Sequence, residues 1–268
     1  MKLWYQSMTR PDAWPAYQVA LKSVLDAAKD PGTEIEVHGI EKRGGVGDQY
    51  RYLEFIETAE ILENVERATR EGFDAFLIGN IADPGLRAAR EITDMPVLGL
   101  CETSTHLANM TAANFSIVTG NHKHITTVEE NIVRYGLAAK LRCARPMQVH
   151  RLVDLNTGFA DPNFGQALID EFLAAAKANV EDGAECVIPA AGVLMVLLAI
   201  RGIHEVLPGV PVLNGVTALV KMGEMAVRLK KLRGGVWTSR KSMYAQPPAG
   251  QLPELRSYYG PVYPGLKG

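Results

Sequence analysis

At 268 residues, with 47% hydrophobic and 22% charged residues, the chain can bury a sizeable core, in one large domain or two small ones. A formal net charge of -2 leaves no broad basic field, which argues against nucleic acid or a membrane surface as partner and leaves a small molecule or another protein. The N-terminal stretch MKLWYQSMTRPDAW lacks the apolar run of a signal peptide, and the longest apolar candidate, residues 186–200, falls short of the roughly 18 residues of a membrane span.

Leu3-Trp4-Tyr5 reads as a first strand, followed by the polar loop Gln6 to Pro11. Apolar residues at helical spacing (Val19, Ala20, Val24, Ala27) predict a helix over 16–28, stopped by Pro31-Gly32. Alternation over 34–40 predicts a half-buried strand, 44–47 a glycine loop, and 53–71 a helix. Ala75-Phe76-Leu77-Ile78 is a buried strand, Asp83-Pro84-Gly85 opens a helix, and 96–100 is another strand. The second half repeats this grammar: a strand at 115–119, a helix at 127–135, a strand at 149–155 and a long amphipathic helix at 167–182. Strand and helix alternating in this way require parallel sheet covered on both faces. Gly72 to Asn80 aligns without a gap on Gly183 to Ala191, and each segment later reaches a Pro-Val-Leu strand, at Pro96 and Pro211. We read this as an internal pseudo-repeat. From Gln246 the chain turns Pro-rich and aromatic, as an extended arm that clasps a second subunit would be.

The segment Asp74 to Glu91, with Asp83-Pro84-Gly85-Leu86 and Ala88-Ala89-Arg90-Glu91, resembles the signature of the hydantoin racemases within the aspartate/glutamate/hydantoin racemase superfamily. Pro96 to Gly99 followed by Glu102, Tyr135-Gly136-Leu137, and Pro211 to Val216 leading into Lys221 carry the similarity to about residue 230. The resemblance implies two similar doubly wound parallel α/β domains related by pseudo-two-fold symmetry, with a ligand cleft between them. Residues 1–113 with 216–268 would form the first, and 114–215 the second. It also implies a cofactor-independent, homo-oligomeric enzyme. In such enzymes two cysteines on opposite faces of a carbon next to a carbonyl exchange its proton, while loop donors hold the oxygen that gains charge. Carried over by position, the first cysteine falls on Asn80 and the second on Ala191, or on Ala190 with a slide of one residue, and none of these supplies a thiol. A decarboxylase relative would need one cysteine, which is also absent at both places.

Ligands of parallel α/β sheets gather at the carboxyl ends of strands. Ser7, Asn80, Thr119 and the turn at Ala190-Ala191-Gly192 qualify there, with Gly120 and Gly192 letting backbone N–H groups approach an anion. The bland readings are a helix cap for Asn80 and turn bonding for Ser7 and Thr119. Cys101, past the strand ending at Leu100, is either a displaced proton donor or a buried inert thiol. His106 with Glu102 forms either an acid/base pair or a structural i, i+4 pair. Asp83 is either a base beside Asn80 or a helix opener. His122 and His124 resemble metal ligands but lack a third, so no metal is assigned. Arg43, Arg51 and Lys123 are carboxylate partners or solvated charges. Cys101, Cys143 and Cys186, an odd set without CxxC spacing, suit a reducing cytoplasm. The leading expectation is an isomerase-type enzyme on a small carbonyl compound, a hydantoin-like cyclic amide or a carboxylate. Decarboxylation or ring-opening hydrolysis, with His106 or Asp83 moving the proton, is the alternative, and a non-catalytic binding protein is the third.

Overall fold

The computed structural model describes residues 1–46, 50–149 and 151–266. The chain order is β1 (Lys2–Gln6), α1 (Pro15–Ala28), β2 (Glu34–His38), α2 (Arg51–Arg70), β3 (Ala75–Ile78), α3 (Leu86–Ile92), β4 (Val97–Gly99) and α4 (Leu100–Thr111). The second half runs β5 (Phe115–Thr119), α5 (His122–Arg134), β6 (Leu141–Pro146), α6 (Thr157–Ala160), α7 (Pro162–Glu181), β7 (Val187–Pro189), α8 (Gly192–Ile200), β8 (Glu205–Leu207) and β9 (Val210–Pro211). The chain closes with α9 (Gly215–Leu232) and α10 (Leu252–Tyr259).

Two parallel sheets result. The first has the order β2-β1-β3-β4 and the second β6-β5-β7. A parallel bridge from Val187 to Val212 extends the second sheet where β4 extends the first. The two halves thus repeat one winding order, and the strand ends that follow β3 and β7 carry Asn80 and Ala191.

Side-chain alternation builds the layers. Leu3 and Tyr5 of β1 point into a core shared with Ile117, Ile188, Met195 and Leu219, so one apolar body joins both sheets. Trp4 points the other way, with Phe76, onto Ile61 and Val65 of α2. Val118 points onto Phe172 of α7 on the far side of the second sheet. The all-apolar α8, Gly-Val-Leu-Met-Val-Leu-Leu-Ala-Ile, is possible because it lies between α1 and α9 in this middle layer. α9 also packs on β3, β4, α1 and α4, returning the chain to the first sheet.

Three expectations change. The strand read at 149–155 is a 3-10 turn at Leu152–Asn156, with residue 150 outside the described residues. The strand pairing with β5 is instead Leu141–Pro146, whose exposed and half-buried residues sit on a sheet edge where arginines reach water. The C-terminal segment is not an extended arm. Pro253 stands in the first turn of α10, where its missing N–H costs nothing. The segment folds back onto its own chain: Tyr263 donates to Glu91 Oε1 (2.7 Å), Gln246 to the Glu91 carbonyl (2.8 Å), and Arg240 to the Arg90 carbonyl (2.8 Å). The glycine loop expected at 44–47 is described as far as Val46, and Gly47 lies outside the described residues.

Candidate active site between the sheets

The facing carboxyl ends of the strands enclose a cavity of about 40 Å³. Its wall is Ser7 and Thr9 after β1, Tyr17 of α1, Gly79-Asn80 after β3, His124 of α5, and Ala191-Gly192-Val193 at the start of α8, completed by Met8, Trp14 and Ile81. The two halves meet closely here. A Cβ on Gly192 would stand 3.0 Å from the Gly79 carbonyl, and one on Gly79 would stand 2.3 Å from Tyr5 Cζ. Glycine at 79 is what lets the Tyr5 ring pass beneath the site.

Each polar group has a local reason for its place. Gln6, fully buried, accepts from Trp4 Nε1 and Asn64 Nδ2 (both 3.0 Å) and donates to the Ser7 carbonyl (3.0 Å), which fixes the end of β1. Ser7 Oγ accepts the Thr9 N–H (3.2 Å) and shares a 2.7 Å bond with Thr9 Oγ1, which also accepts from Gln18 Nε2 (3.0 Å). Burial raises the Tyr17 phenol far above its usual range, with the Ser7 hydroxyl beside it working in the opposite direction. Tyr17 therefore keeps its proton. Asn80 Oδ1 accepts the Ala82 N–H (2.8 Å) in an Asx turn, which orients its NH₂ as the group left to donate. Ala191 offers no side-chain cap to α8, so the first N–H groups of that helix, at Gly192 and Val193, lack intrahelical partners beside the cavity.

The structure thus brings Ser7, Asn80, Ala191 and Gly192 together and leaves the other sequence candidates elsewhere. Thr119 is buried, but its hydroxyl donates to the Asn121 carbonyl (2.8 Å), and the Gly120 carbonyl accepts from Val149 (3.0 Å). Both shape the turn from β5 into α5 and are not among the lining residues. Asp83 lies behind the loop, in left-handed backbone (φ 48°). It caps α4 by accepting from the N–H groups of Cys101 (2.9 Å) and Glu102 (2.8 Å), and it accepts Tyr135 Oη–H (2.6 Å). Burial raises its carboxyl to about 7, against the pull of those donors. Cys101 is fully buried in α4, and burial pushes its thiol well up, with the Asp83 and Glu102 charges adding to the effect. The expected Glu102–His106 pair does not form, because Glu102 is bridged by Arg90 instead. His106 is exposed, with its ring tilted against Tyr135 at 6.4 Å between centroids. Of the cationic candidates, Arg51 pairs with Glu130 (2.8 Å) and Lys123 lies over the Tyr50 ring (5.0 Å), while Arg43 is exposed. Among the described residues no group of three or more His, Cys, Asp or Glu is placed to hold a metal ion.

Sequence reasoning weighed His124 only as a metal ligand and missed its place in the cavity wall. The signal was present in α5: His124, Val128, Asn131 and Ile132 recur at helical spacing, and all are buried. Asn131, on the same stripe, donates to the Ala82 carbonyl (2.7 Å), so α5 grips the Asn80–Asp83 loop from the second half.

A profile of the Asp/Glu/hydantoin racemase family matches residues 17–223. The chain belongs to that family. It is 34% identical over 227 residues to a hydantoin racemase of Pseudomonas sp. strain NS671, covering 82% of this chain and 80% of the relative. It is 32% identical over 230 residues to one from Paenarthrobacter aurescens, covering 84% and 91%. An allantoin racemase structure from Klebsiella pneumoniae superposes with a TM-score of 0.78 at 27% identity, covering 92% of this chain and 94% of that one. Family membership makes this a racemase-superfamily enzyme acting on a small molecule. No described helix is long and apolar enough to cross a membrane.

Proposed function

We propose that this family member is an isomerase-type enzyme that forms an enolate from a neutral, hydantoin-like cyclic amide in the cavity between the sheets. The observation that carries this reading is the chemistry of the wall. Its polar side chains include the hydroxyls of Ser7, Thr9 and Tyr17, the Asn80 amide and the His124 ring, and among the described residues no carboxylate, ammonium, guanidinium or thiol lines it. Hydrogen-bond donors without formal charge suit an amide oxygen that becomes negative only as the reaction proceeds. A substrate carboxylate would be buried there without a cationic partner, which is costly. The names of the relatives, hydantoin racemase and allantoin racemase, point to the same ring class.

In this reading the carbonyl oxygen next to the reacting carbon receives the Asn80 NH₂ and the first N–H groups of α8. The Ser7 and Thr9 hydroxyls hold the opposite edge of the ring. A volume of about 40 Å³ has room for a water or two, so this reading requires the walls to part to admit a ring. With no thiol at Asn80 or Ala191, this reading does without the two-cysteine chemistry of the superfamily. Proton NMR of a 5-monosubstituted hydantoin in D₂O tests the reading. Enzyme-dependent loss of the C5 proton signal is expected, and a C5 proton that exchanges no faster with enzyme than without it refutes the proposal.

A further inference from the structure

With both expected thiol positions taken by Asn80 and Ala191, the cleft needs another group to carry a proton. Tyr17 holds its proton too tightly, and hydroxyls and amides do not titrate near neutrality. His124 is the remaining candidate among the described lining residues.

Its position is built. Thr119 bonds the Asn121 carbonyl, and Asn121 Oδ1 accepts the His124 N–H (3.3 Å), which starts α5 and turns residue 124 into the cavity wall. The residue is 5% exposed. Its Nδ1 is buried and has no hydrogen-bond partner. An unpaired buried ring nitrogen at a cavity wall is placed to meet a ligand atom. Burial lowers the ring's pKa to about 4, so the resting imidazole is neutral, and as a weakened base it holds an abstracted proton only briefly and gives it back readily.

We infer that His124 is the proton-transfer group of this cleft, and that the enzyme works with a single base in place of a pair. The inference rests on the reading of the cleft as an enolate-forming site. The C–H bond next to the carbonyl breaks, its proton forms an N–H bond on the His124 ring, and the C–H electron pair moves into the carbonyl to leave an enolate oxygen. The imidazolium trades that proton with solvent, returns one to the same face of the carbon and is neutral again, and nothing is oxidised or reduced. A single base serves one face of the planar intermediate. The chemistry it favours is therefore exchange of the proton on one face of the carbon beside the amide carbonyl. Inversion at carbon is slower than exchange, because the intermediate must first turn over.

The test compares wild type, His124→Gln and the control His122→Gln, which alters an exposed neighbour on the same helix. The probe is an optically pure 5-monosubstituted hydantoin in D₂O, followed by proton NMR and by optical rotation. In the wild type deuterium enters C5 faster than rotation is lost. His124→Gln lowers the exchange rate by about 10²–10⁴-fold, with melting temperature and hydantoin-induced stabilisation retained, and His122→Gln leaves the rate unchanged. Exchange at the wild-type rate in His124→Gln overturns the inference and leaves the cleft reading standing. A wild type that neither exchanges nor is stabilised by the hydantoin removes both. If His124→Gln does not fold, the ¹⁵N resonances of the wild-type His124 ring decide. They shift on hydantoin addition if the inference holds, and unshifted resonances in the presence of a bound probe overturn it.

Discussion

Ser7→Ala removes one oxygen from the centre of the site, and the consequences can be worked from its bonds. The Thr9 N–H has Ser7 Oγ as its partner (3.2 Å), in a residue 5% exposed, so the substitution leaves a buried donor unmet. That costs about 1–3 kcal/mol. The Thr9 hydroxyl loses its 2.7 Å bond to Ser7 but keeps Gln18, so it adds little. For a chain of this size each kcal/mol lowers Tm by about 2–4 °C, giving a fall of roughly 2–12 °C by differential scanning calorimetry. A double-mutant cycle with Thr9→Val isolates the hydroxyl pair, for which a coupling of about 0.5–1.5 kcal/mol is expected. Hydantoin-induced stabilisation should shrink in Ser7→Ala as well, because the same oxygen faces the ring. A variant that melts within 1 °C (~0.5 kcal/mol or less) of wild type and binds the hydantoin equally well refutes the hydrogen-bonded edge described here.

Two buried groups give opposite pH signatures. The Asp83 carboxyl is raised from 3.8 to about 7 in the folded state, so the native chain holds a proton that the unfolded chain has lost, and this contribution falls as pH rises through that window. His124 is lowered from 6.5 to about 4, so the unfolded chain binds the extra proton there and stability rises with pH. Urea unfolding from pH 4 to 6.5 should therefore tilt upward with pH in Asp83→Asn and downward in His124→Gln, each relative to wild type, and slopes of the same sign would disprove the assignment. Gly79→Ala should destabilise by about 1–3 kcal/mol through overpacking against Tyr5, measured by urea titration, with a smaller penalty in a Tyr5→Leu background. In the native protein a thiol reagent should label Cys143 alone, with Cys101 and Cys186 reacting only on unfolding, since both are fully buried and their thiols are pushed up by burial. Rapid native labelling of Cys101, read by mass spectrometry, would count against its inert role.

Much of the fold was legible because parallel strands buried on both faces leave short runs dominated by apolar residues, such as Ala75–Ile78 and Phe115–Thr119. The equal offsets of Asn80 and Ala191 from Gly72 and Gly183 were legible too, and both residues line the one cavity. What could not be read depended on neighbours supplied from elsewhere in the chain. β6 carries no apolar run to mark it as a strand, because Arg142 and Arg145 sit on a sheet edge, where Arg145 reaches Asp182 and Arg142 the Asp182 carbonyl. The proline-rich C-terminal segment read as extended, yet Leu252 is fully buried and Arg256 ties the chain end to itself through the carbonyls of Val262 (3.1 Å) and Tyr263 (3.0 Å). Asp83 next to Asn80 in sequence suggested a shared site. The left-handed turn at 83 sends its side chain backward onto Gly99 and the start of α4 instead. His124 follows two polar residues at a helix start, and only its helical spacing with Val128 and Ile132 marks it as inward-facing. Its burial arises only when α5 closes against the loops of the first half.

A neutral cleft that ionises a carbon acid beside an amide carbonyl must exchange the C5 proton of a 5-monosubstituted hydantoin with D₂O. Enzyme-dependent loss of that proton signal is expected, with the ring intact and deuterium at C5. A C5 signal that persists as long with enzyme as without it, or whose loss accompanies ring opening or release of carbon dioxide, contradicts it.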